Sequence, residues 1–339
     1  MKLFPIFTLA IICLTACTRK TSVREYRVNG FAQGTTYSLL YYSGSDTVSR
    51  AQIDSLFAVI DSSMSLYKKN SLISRFNLAD SSVQIDEHMR VVVEKGMAIS
   101  RVTDGYFDIT VYPLVKAWGF GPEKPEKMPD SSDIQNILPC IGVHNLQLEG
   151  DILHKKKPCV QIDLNGIAQG YSADLIADFL EERQISNYLV EIGGEMRVSG
   201  KKYPDGRPMQ IGIESPADST YDELIIRQVI EPGNAAVTSS GNFQKYYLSG
   251  RKLISHLIDP HSGYPLTNEL ISVTVIAREA IEADGYDNAL MGMGLNRAFD
   301  FLSHHPELNA YFIYRKPDGN IADTMTAGFR KLIRRIPAP

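Results

Sequence analysis

The residues best suited to chemistry stand near the C-terminal end of the chain, in the run Asp284-Gly285-Tyr286-Asp287-Asn288. Residues three and four positions apart lie on the same face of a helix, so Asp284, Asp287 and Asn288 would share one face. Two carboxylates and an amide oxygen are hard ligands that suit Mg²⁺ rather than a soft metal. Acidic residues also favour a solvated helix N-terminus because of the helix dipole. The residues alone leave both interpretations open.

A second candidate is His256, which lies in the run Ser255-His256-Leu257-Ile258-Asp259-Pro260. An imidazole titrates near neutral pH, so His256 has the chemistry of a general base. A lone histidine is more often a structural residue, and the run by itself does not exclude that role.

A third candidate is the run Asp163-Leu164-Asn165-Gly166-Ile167-Ala168-Gln169-Gly170, which predicts a strand, a glycine turn and the start of a helix. Such a junction presents backbone N–H groups and the positive end of a helix dipole to an anion. It contains neither GxGxxG nor GxxxxGK[ST], so plain strand-to-helix packing also explains it. Two loops at 193–195 and 238–242 follow predicted strands and are either simple turns or phosphate contacts.

The elements that must position these residues show both helical and strand periodicity. A strand pair or hairpin is predicted over 26–42, interrupted at Gln33-Gly34. Helices are predicted at 51–66, 87–102, 168–183, 282–291 and 296–304. Strands are predicted at 159–163, 188–192, 197–198, 210–213, 224–230, 270–277 and 310–314. Strands outnumber helices and only one strand-helix-strand unit is clear, so the predicted fold class is α+β, with mixed, mostly antiparallel sheets and flanking helices.

The composition is that of an ordinary globular domain. The 339 residues are 44% hydrophobic and 22% charged, and the net charge of -4 gives no basic footprint for nucleic acid. Beyond the N-terminal segment the cysteines are Cys140 and Cys159, which either form a disulfide or remain buried thiols. No Cys/His cluster has zinc-like spacing.

The first residues predict export and anchoring. Lys2 precedes an apolar run at 3–16 that is shorter than the roughly 20 residues of a spanning helix, as in a secretory signal peptide. The run ends in Leu14-Thr15-Ala16-Cys17, which resembles a bacterial lipobox, although an ordinary cleaved signal is the alternative. We therefore predict a signal peptide at 1–16, a lipidated Cys17 with a tether at 17–25, and one domain at 26–336. The protein would face the periplasm, held to a bacterial membrane by lipid.

Taken together, these segments resemble the ApbE family, the flavin transferases that move FMN from FAD onto a protein threonine or serine. The resemblance spans nearly the whole mature chain, in ordered blocks at 33–37, 67–77, 107–115, 118–121, 163–170, 192–195, 240–242, 255–263 and 283–285. Each block is weak alone, but their number and order make chance a poor explanation.

The resemblance implies roles that the residues alone leave open. It implies an Mg²⁺ site made by the Gly166 carbonyl, Asp284 and the Asp287–Asn288 region. It implies an FAD cleft between sub-lobes, formed at the positions Gln33, Tyr67, Tyr106, Phe107, Asp108, Asp163, Gln169 and Ile258. His256 matches the histidine proposed to deprotonate the acceptor hydroxyl.

The implied reaction is Mg²⁺-dependent transfer of FMN from FAD to a Thr or Ser hydroxyl, with release of AMP. The acceptor would be an exported or membrane flavoprotein subunit, such as a redox-pump subunit. Two alternatives are an FAD pyrophosphatase, in which water replaces the hydroxyl, and a flavin-binding lipoprotein with little transfer.

Three residues depart from the family's pattern. Asn288 stands where a Thr is common, Gln33 where a Met is common, and Gln169 where a Lys is common. An amide oxygen still ligates a metal, but the metal affinity is expected to differ. The change at Gln169 removes a positive charge near the phosphates, so FAD binding is weakened or retuned.

Overall fold

The computed structural model describes residues 22–334 apart from 46, 124, 217–223, 242–245 and 250–251. Its helices are α1 Arg50–Met64, α2 Leu72–Leu78, α3 Glu87–Val102, α4 Tyr112–Ala117, α5 Ser131–Ile137, α6 Ala168–Glu181, α7 Ala280–Met293, α8 Leu295–His304 and α9 Ala327–Arg330. Its strands are β1 Arg24–Ala32, β2 Thr35–Ser43, β3 Ser82–Gln84, β4 Leu146–Glu149, β5 Ile152–Lys155, β6 Tyr188–Ile192, β7 Glu195–Ser199, β8 Ile211–Pro216, β9 Leu224–Ile230, β10 Ala235–Gly241, β11 Tyr246–Ser249, β12 Lys252–Ser255, β13 Leu270–Ala277, β14 Asn309–Arg315, β15 Ile321–Met325 and β16 Ile333–Arg334.

One eight-stranded sheet organises the chain, in the order β1-β2-β6-β7-β10-β13-β14-β15. Each neighbouring pair in it is antiparallel. Smaller sheets are formed by β3-β5-β4, by β16-β9-β8 and by β11-β12. The predicted α+β class with antiparallel sheets and flanking helices is therefore confirmed.

Strand β13, which matches the predicted strand at 270–277, is mostly apolar because both of its faces are buried. All eight of its residues are buried. One side packs with helices α6 and α7, and the other side packs with β8 and Phe329. Because both faces are covered, polar residues do not alternate along the strand as they would on a half-exposed one. Each large apolar side chain buried in this way contributes about 1.5–3 kcal/mol.

The predicted hairpin at 26–42 is confirmed as β1 and β2, joined by the two-residue turn Gln33-Gly34. The φ angles are 52° at Gln33 and 77° at Gly34, the left-handed pair of a type I′ turn. Ala32 and Thr35 pair directly across it, so the turn fixes the register of the hairpin. Gln33 therefore lies at the tip of the β1–β2 hairpin.

One predicted strand is wrong. Residues 159–163 form no strand, because Cys159 lies in a turn and the Asn77 side chain bonds both the N–H and the carbonyl of Ile162, at 2.7 and 2.9 Å. The next N–H, of Asp163, donates to the carbonyl of Ile109 at 2.8 Å. The strand predicted at 210–213 is present as β8, which pairs with β9 in a sheet separate from the main one.

The structure also decides the state of the two body cysteines. Cys140 and Cys159 form a disulfide with an S–S distance of 2.05 Å. Cys17 and the predicted signal peptide lie outside the described residues. Within those residues, no helix combines the length and the apolar character needed to cross a bilayer.

Candidate active site

Helices α6 and α7 meet near their N-termini, and the meeting point organises the site. The N–H of Gly170, in the first turn of α6, donates to Oδ2 of Asp284 at 2.9 Å. A Cβ on Gly170 would overlap the Ala280 carbonyl and lie 2.8 Å from Cβ of Asp284, so this close approach requires glycine. The junction before α6, which contains Gly166, is thereby held beside the acidic face of α7.

Asn288 lies at the centre of the oxygen atoms gathered there. Its Nδ2 lies 3.1 Å from Oδ1 of Asp287 and 3.4 Å from Oδ1 of Asp284. The same nitrogen lies 3.3 Å from the carbonyl oxygen of Gly166 and 3.0 Å from that of Asp284. The four predicted metal-site residues are therefore brought together in space.

The two carboxylates of this group are deeply buried, with Asp284 3% and Asp287 1% exposed. Burial raises the pKa of Asp284 to about 7. Burial, followed by the negative charge of Asp284, raises the pKa of Asp287 well above its usual range. Among the described residues, Oδ2 of Asp287 has no hydrogen-bond partner. Two adjacent buried carboxylates with an unbonded oxygen favour a nearby cation.

The donor set fits a hard divalent cation. It combines carboxylate oxygens from Asp284 and Asp287 with the Gly166 carbonyl and the Asn288 amide, and Mg²⁺ prefers such oxygen ligands. A site built from His, Cys, Asp and Glu alone is not present, because the described part of the chain holds no group of three or more such side chains arranged around a metal. Backbone and amide oxygens would have to complete the coordination.

Three predicted FAD-cleft residues lie close to this junction. The ring of Phe107 packs near Gly166, where an added Cβ would lie 3.4 Å from the ring. Gln169 reaches the turn between β6 and β7, with its Nε2 near Gly193. Gln33 donates to the hydroxyl of Ser172 on α6 at 2.8 Å, so the hairpin tip rests on the same helix.

Two predicted cleft carboxylates have different surroundings. Asp108 accepts from the Thr110 N–H and hydroxyl, the Val143 N–H and the Ser100 hydroxyl, at 2.7, 2.6, 3.1 and 3.3 Å. Its oxygens therefore join neighbouring protein segments, although burial still raises its pKa. Asp163 accepts one N–H, from Asn165 at 2.8 Å, and burial raises its pKa to about 6. Its charge raises the pKa of the nearby Tyr112, after burial of that phenol.

His256 follows β12 directly and lies edge-on to Phe120, with ring centroids 6.3 Å apart. The loop that follows is held by other residues. Asp259 accepts the N–H of His261 at 3.0 Å, and the indole N–H of Trp118 donates to the Gly263 carbonyl at 2.8 Å. The Asp259 carboxylate thus organises its own turn.

Two other predicted cleft positions, Tyr106 and Ile258, lie beside or within this loop. The ring of Tyr106 lies 4.7 Å from that of His261, and its backbone packs near Gly292 of α7. Ile258 is buried in a small cluster with Leu114 and Trp118. Tyr67 is 71% exposed, which leaves its ring open to a ligand. Contact of these residues with FAD remains a prediction.

Sequence reasoning missed the residue that fixes α7. The carboxylate of Asp174 accepts the N–H groups of Ala280 and Ile281, each at 2.8 Å, and pairs with Arg197 at 3.2 Å. Arg197 also donates to the Arg278 carbonyl at 2.7 Å. The backbone partners are 81 to 107 residues away in sequence, and Arg197 is 23 residues from Asp174, so no local pattern signals them.

Comparison with known proteins agrees with this fold. A family model described as the ApbE family matches residues 33–312. The chain is 36% identical over 296 residues to the FAD:protein FMN transferase of Vibrio cholerae, covering 85% of this chain and 86% of that one. It is 35% identical over 334 residues to the FAD:protein FMN transferase of Haemophilus influenzae, covering 95% of this chain and 94% of that one.

Solved structures give the same answer. The flavin transferase ApbE from Vibrio cholerae superposes with a TM-score of 0.83 at 32% identity, covering 92% of this chain and 100% of that one. The apo form of the flavinyl transferase ApbE from Pseudomonas stutzeri superposes with a TM-score of 0.82 at 32% sequence identity. The match covers 91% of this chain and 97% of that one. The chain belongs to the ApbE family. It is a transferase.

Proposed function

We propose that this protein transfers FMN from FAD to a Thr or Ser hydroxyl of another protein, releases AMP, and requires Mg²⁺. The observation that carries the proposal is the convergence of Gly166, Asp284, Asp287 and Asn288 at the meeting point of α6 and α7. The relatives are FAD:protein FMN transferases, which supports FAD as the donor and FMN as the transferred group.

Asp284 and Asp287, with the Gly166 carbonyl and the Asn288 amide, would hold the magnesium ion. When bound, Mg²⁺ supplies positive charge that offsets the negative charge developing on the pyrophosphate. The N–H of Gly170 keeps Asp284 in place, so that its carboxylate does not need to reorganise during the reaction.

His256 would take the proton of the acceptor hydroxyl. The acceptor oxygen then forms a bond to the FMN phosphorus, while the bond from that phosphorus to the AMP oxygen breaks and AMP leaves with the electron pair. The product is a phosphoester between FMN and the acceptor. Phe107 and Gln169, which lie beside the junction, are placed to contact the FAD that is cleaved.

We also propose that the protein is exported and lipid-anchored through Cys17, because the apolar run at 3–16 ends in the lipobox-like Leu-Thr-Ala-Cys. Cys17→Ser should then accumulate as an unprocessed precursor that takes up no labelled lipid. Processing and lipid labelling of the variant at the parent level would contradict the anchor and leave the transfer proposal untouched.

The transfer proposal is tested with the domain from residue 18 onward. It is incubated with FAD, Mg²⁺ and Thr-containing peptides from a flavin-carrying redox-pump subunit, and the peptides are analysed by mass spectrometry. A peptide carrying FMN, with AMP released in equal amount, is the expected result. Release of FMN and AMP with unmodified peptide would support the FAD pyrophosphatase alternative. If FAD is not cleaved at all, both the transferase and the pyrophosphatase proposals are wrong.

A further inference from the structure

The orientation of the Asn288 amide is determined by its neighbours. Its Nδ2 lies within 3.4 Å of two carboxylate oxygens and two carbonyl oxygens. The two carbonyl oxygens are acceptors in every protonation state, so an amide oxygen at 3.3 and 3.0 Å from them would be repelled. The amide therefore presents its –NH₂ group, with partial positive charge, to the oxygens that form the candidate metal site.

The other end of the amide contacts a group that tolerates either orientation. Oδ1 of Asn288 accepts from the hydroxyl of Ser240 at 3.2 Å. A hydroxyl both donates and accepts, and the terminal torsion of asparagine is roughly two-fold. After a half-turn of the amide, Ser240 can accept from Nδ2 while Oδ1 faces the carboxylates.

We propose that the amide nitrogen of Asn288 competes with the metal ion for the oxygen atoms of the candidate metal site. In the metal-free protein this nitrogen contacts Oδ1 of both buried carboxylates, and metal binding requires a half-turn that replaces Nδ2 by Oδ1. This inference rests on the proposed magnesium-dependent function and goes beyond it, because it names the residue that sets the metal affinity. A threonine at this position offers one hydroxyl hydrogen in place of two amide hydrogens, so it competes less.

The first test is a titration of the FAD-free protein with Mg²⁺ by calorimetry. Asn288→Thr should bind Mg²⁺ about tenfold more tightly, which is the effect of losing one hydrogen bond to a charged group. The same variant should melt at a lower temperature without metal, because the carboxylates lose a donor.

The matched control is Asn268→Thr. The Asn268 amide donates to the Met291 carbonyl at 2.7 Å, in the last turn of the helix that also carries Asn288. This variant should lose stability without any change in Mg²⁺ affinity. Equal affinity of Asn288→Thr and the parent for Mg²⁺ would overturn the inference.

A second measurement needs no variant to fold. The side-chain amide signals of Asn288 are followed by ¹⁵N NMR as Mg²⁺ is added, with Asn145 as reference, whose amide donates to the Ile141 carbonyl at 3.1 Å. The Asn288 signals should shift strongly while those of Asn145 stay in place. Saturation with Mg²⁺ without movement of the Asn288 signals overturns the inference and leaves the transferase proposal standing. Failure of Mg²⁺ to bind at all overturns the inference together with the metal requirement.

Discussion

The carboxylate of Asp174 accepts the backbone N–H of Ala280 at 2.8 Å, and so joins the middle of helix α6 to the first residue of helix α7. Helix α7 has no side-chain cap of its own at Glu279. A residue of another helix therefore satisfies its first N–H groups, and the acidic face that follows is fixed relative to α6.

Asp174→Asn should lower both the stability of the fold and the affinity for Mg²⁺. The variant keeps one acceptor oxygen for two N–H groups, and loss of a helix cap costs about 0.5–2 kcal/mol. The control is Asp86→Ala, because Asp86 caps α3 by accepting the Met89 N–H at 2.9 Å and alanine removes that cap. Calorimetry with Mg²⁺ separates the two: both variants should lose stability, but only Asp174→Asn should bind the metal more weakly. Equal metal affinities would show that the cap serves the fold alone.

Asp284→Asn should stabilise the metal-free protein while nearly abolishing FAD cleavage. The substitution removes one of two adjacent buried carboxylates, and its oxygen can still accept the Gly170 N–H. Cleavage should fall by orders of magnitude, because a charged ligand of a hard cation is lost. Thermal unfolding without metal and an assay of AMP release give the two readouts, with the exposed Asp300→Asn as control. Normal Mg²⁺-dependent turnover in the variant would exclude Asp284 as a ligand.

His256→Ala should cut FMN transfer by about 10²–10⁴-fold, the usual contribution of a general base, while FAD still binds. An FAD titration and a transfer assay on the same preparation separate the two effects, and the exposed His304→Ala serves as control. The role as a base is wrong if FAD affinity collapses while transfer at saturating FAD stays normal.

Lys155→Met should stabilise the protein at pH 7 and much less at pH 10. Lys155 is 6% exposed, its Nζ lies 4.7 Å from the centre of the Phe76 ring, and burial lowers its pKa to about 8. The pKa of an unfolded lysine is about 10.4, so below pH 8 the folded state carries the full penalty of a buried charge. As the pH rises from 8 to 10.4 the folded state loses its proton first, and the free energy of unfolding of the parent rises.

Urea unfolding of the parent and Lys155→Met at both pH values measures this difference, with the exposed Lys69→Met as control. A gap between parent and variant that stays constant from pH 7 to pH 10 would mean that Lys155 titrates normally.

The sequence predicted the local elements well wherever one periodicity dominates. The bounds of α3, β6 and β13 agree with the predicted 87–102, 188–192 and 270–277. The strand prediction at 159–163 failed. The apolar pattern there suits an extended chain, but the backbone hydrogen bonds of Ile162 go to one distant side chain, Asn77, and not to another strand. The residue pattern of a segment indicates its own backbone conformation, whereas the pairing of strands depends on segments far away in the sequence.

The same distinction applies to the site. Spacing alone placed Asp284, Asp287 and Asn288 on one helical face, and they do share it. The direction of the Asn288 amide depends in part on the Gly166 carbonyl, 122 residues away, and the cap from Asp174 joins groups 106 residues apart, so spacing along α7 carries no information about them.

Strand β1 has a consequence for where the chemistry takes place. It begins at Arg24, seven residues after the proposed lipidated Cys17, and ends beside the turn that carries Gln33 onto helix α6. Nine residues of strand extend about 30 Å. If Cys17 holds the protein to a bilayer, β1 acts as a rigid spacer between the attachment point and the flavin site. An acceptor hydroxyl would then have to reach the candidate site across the length of β1 together with residues 18–23, so the distance of the acceptor from the bilayer would affect which proteins can be modified.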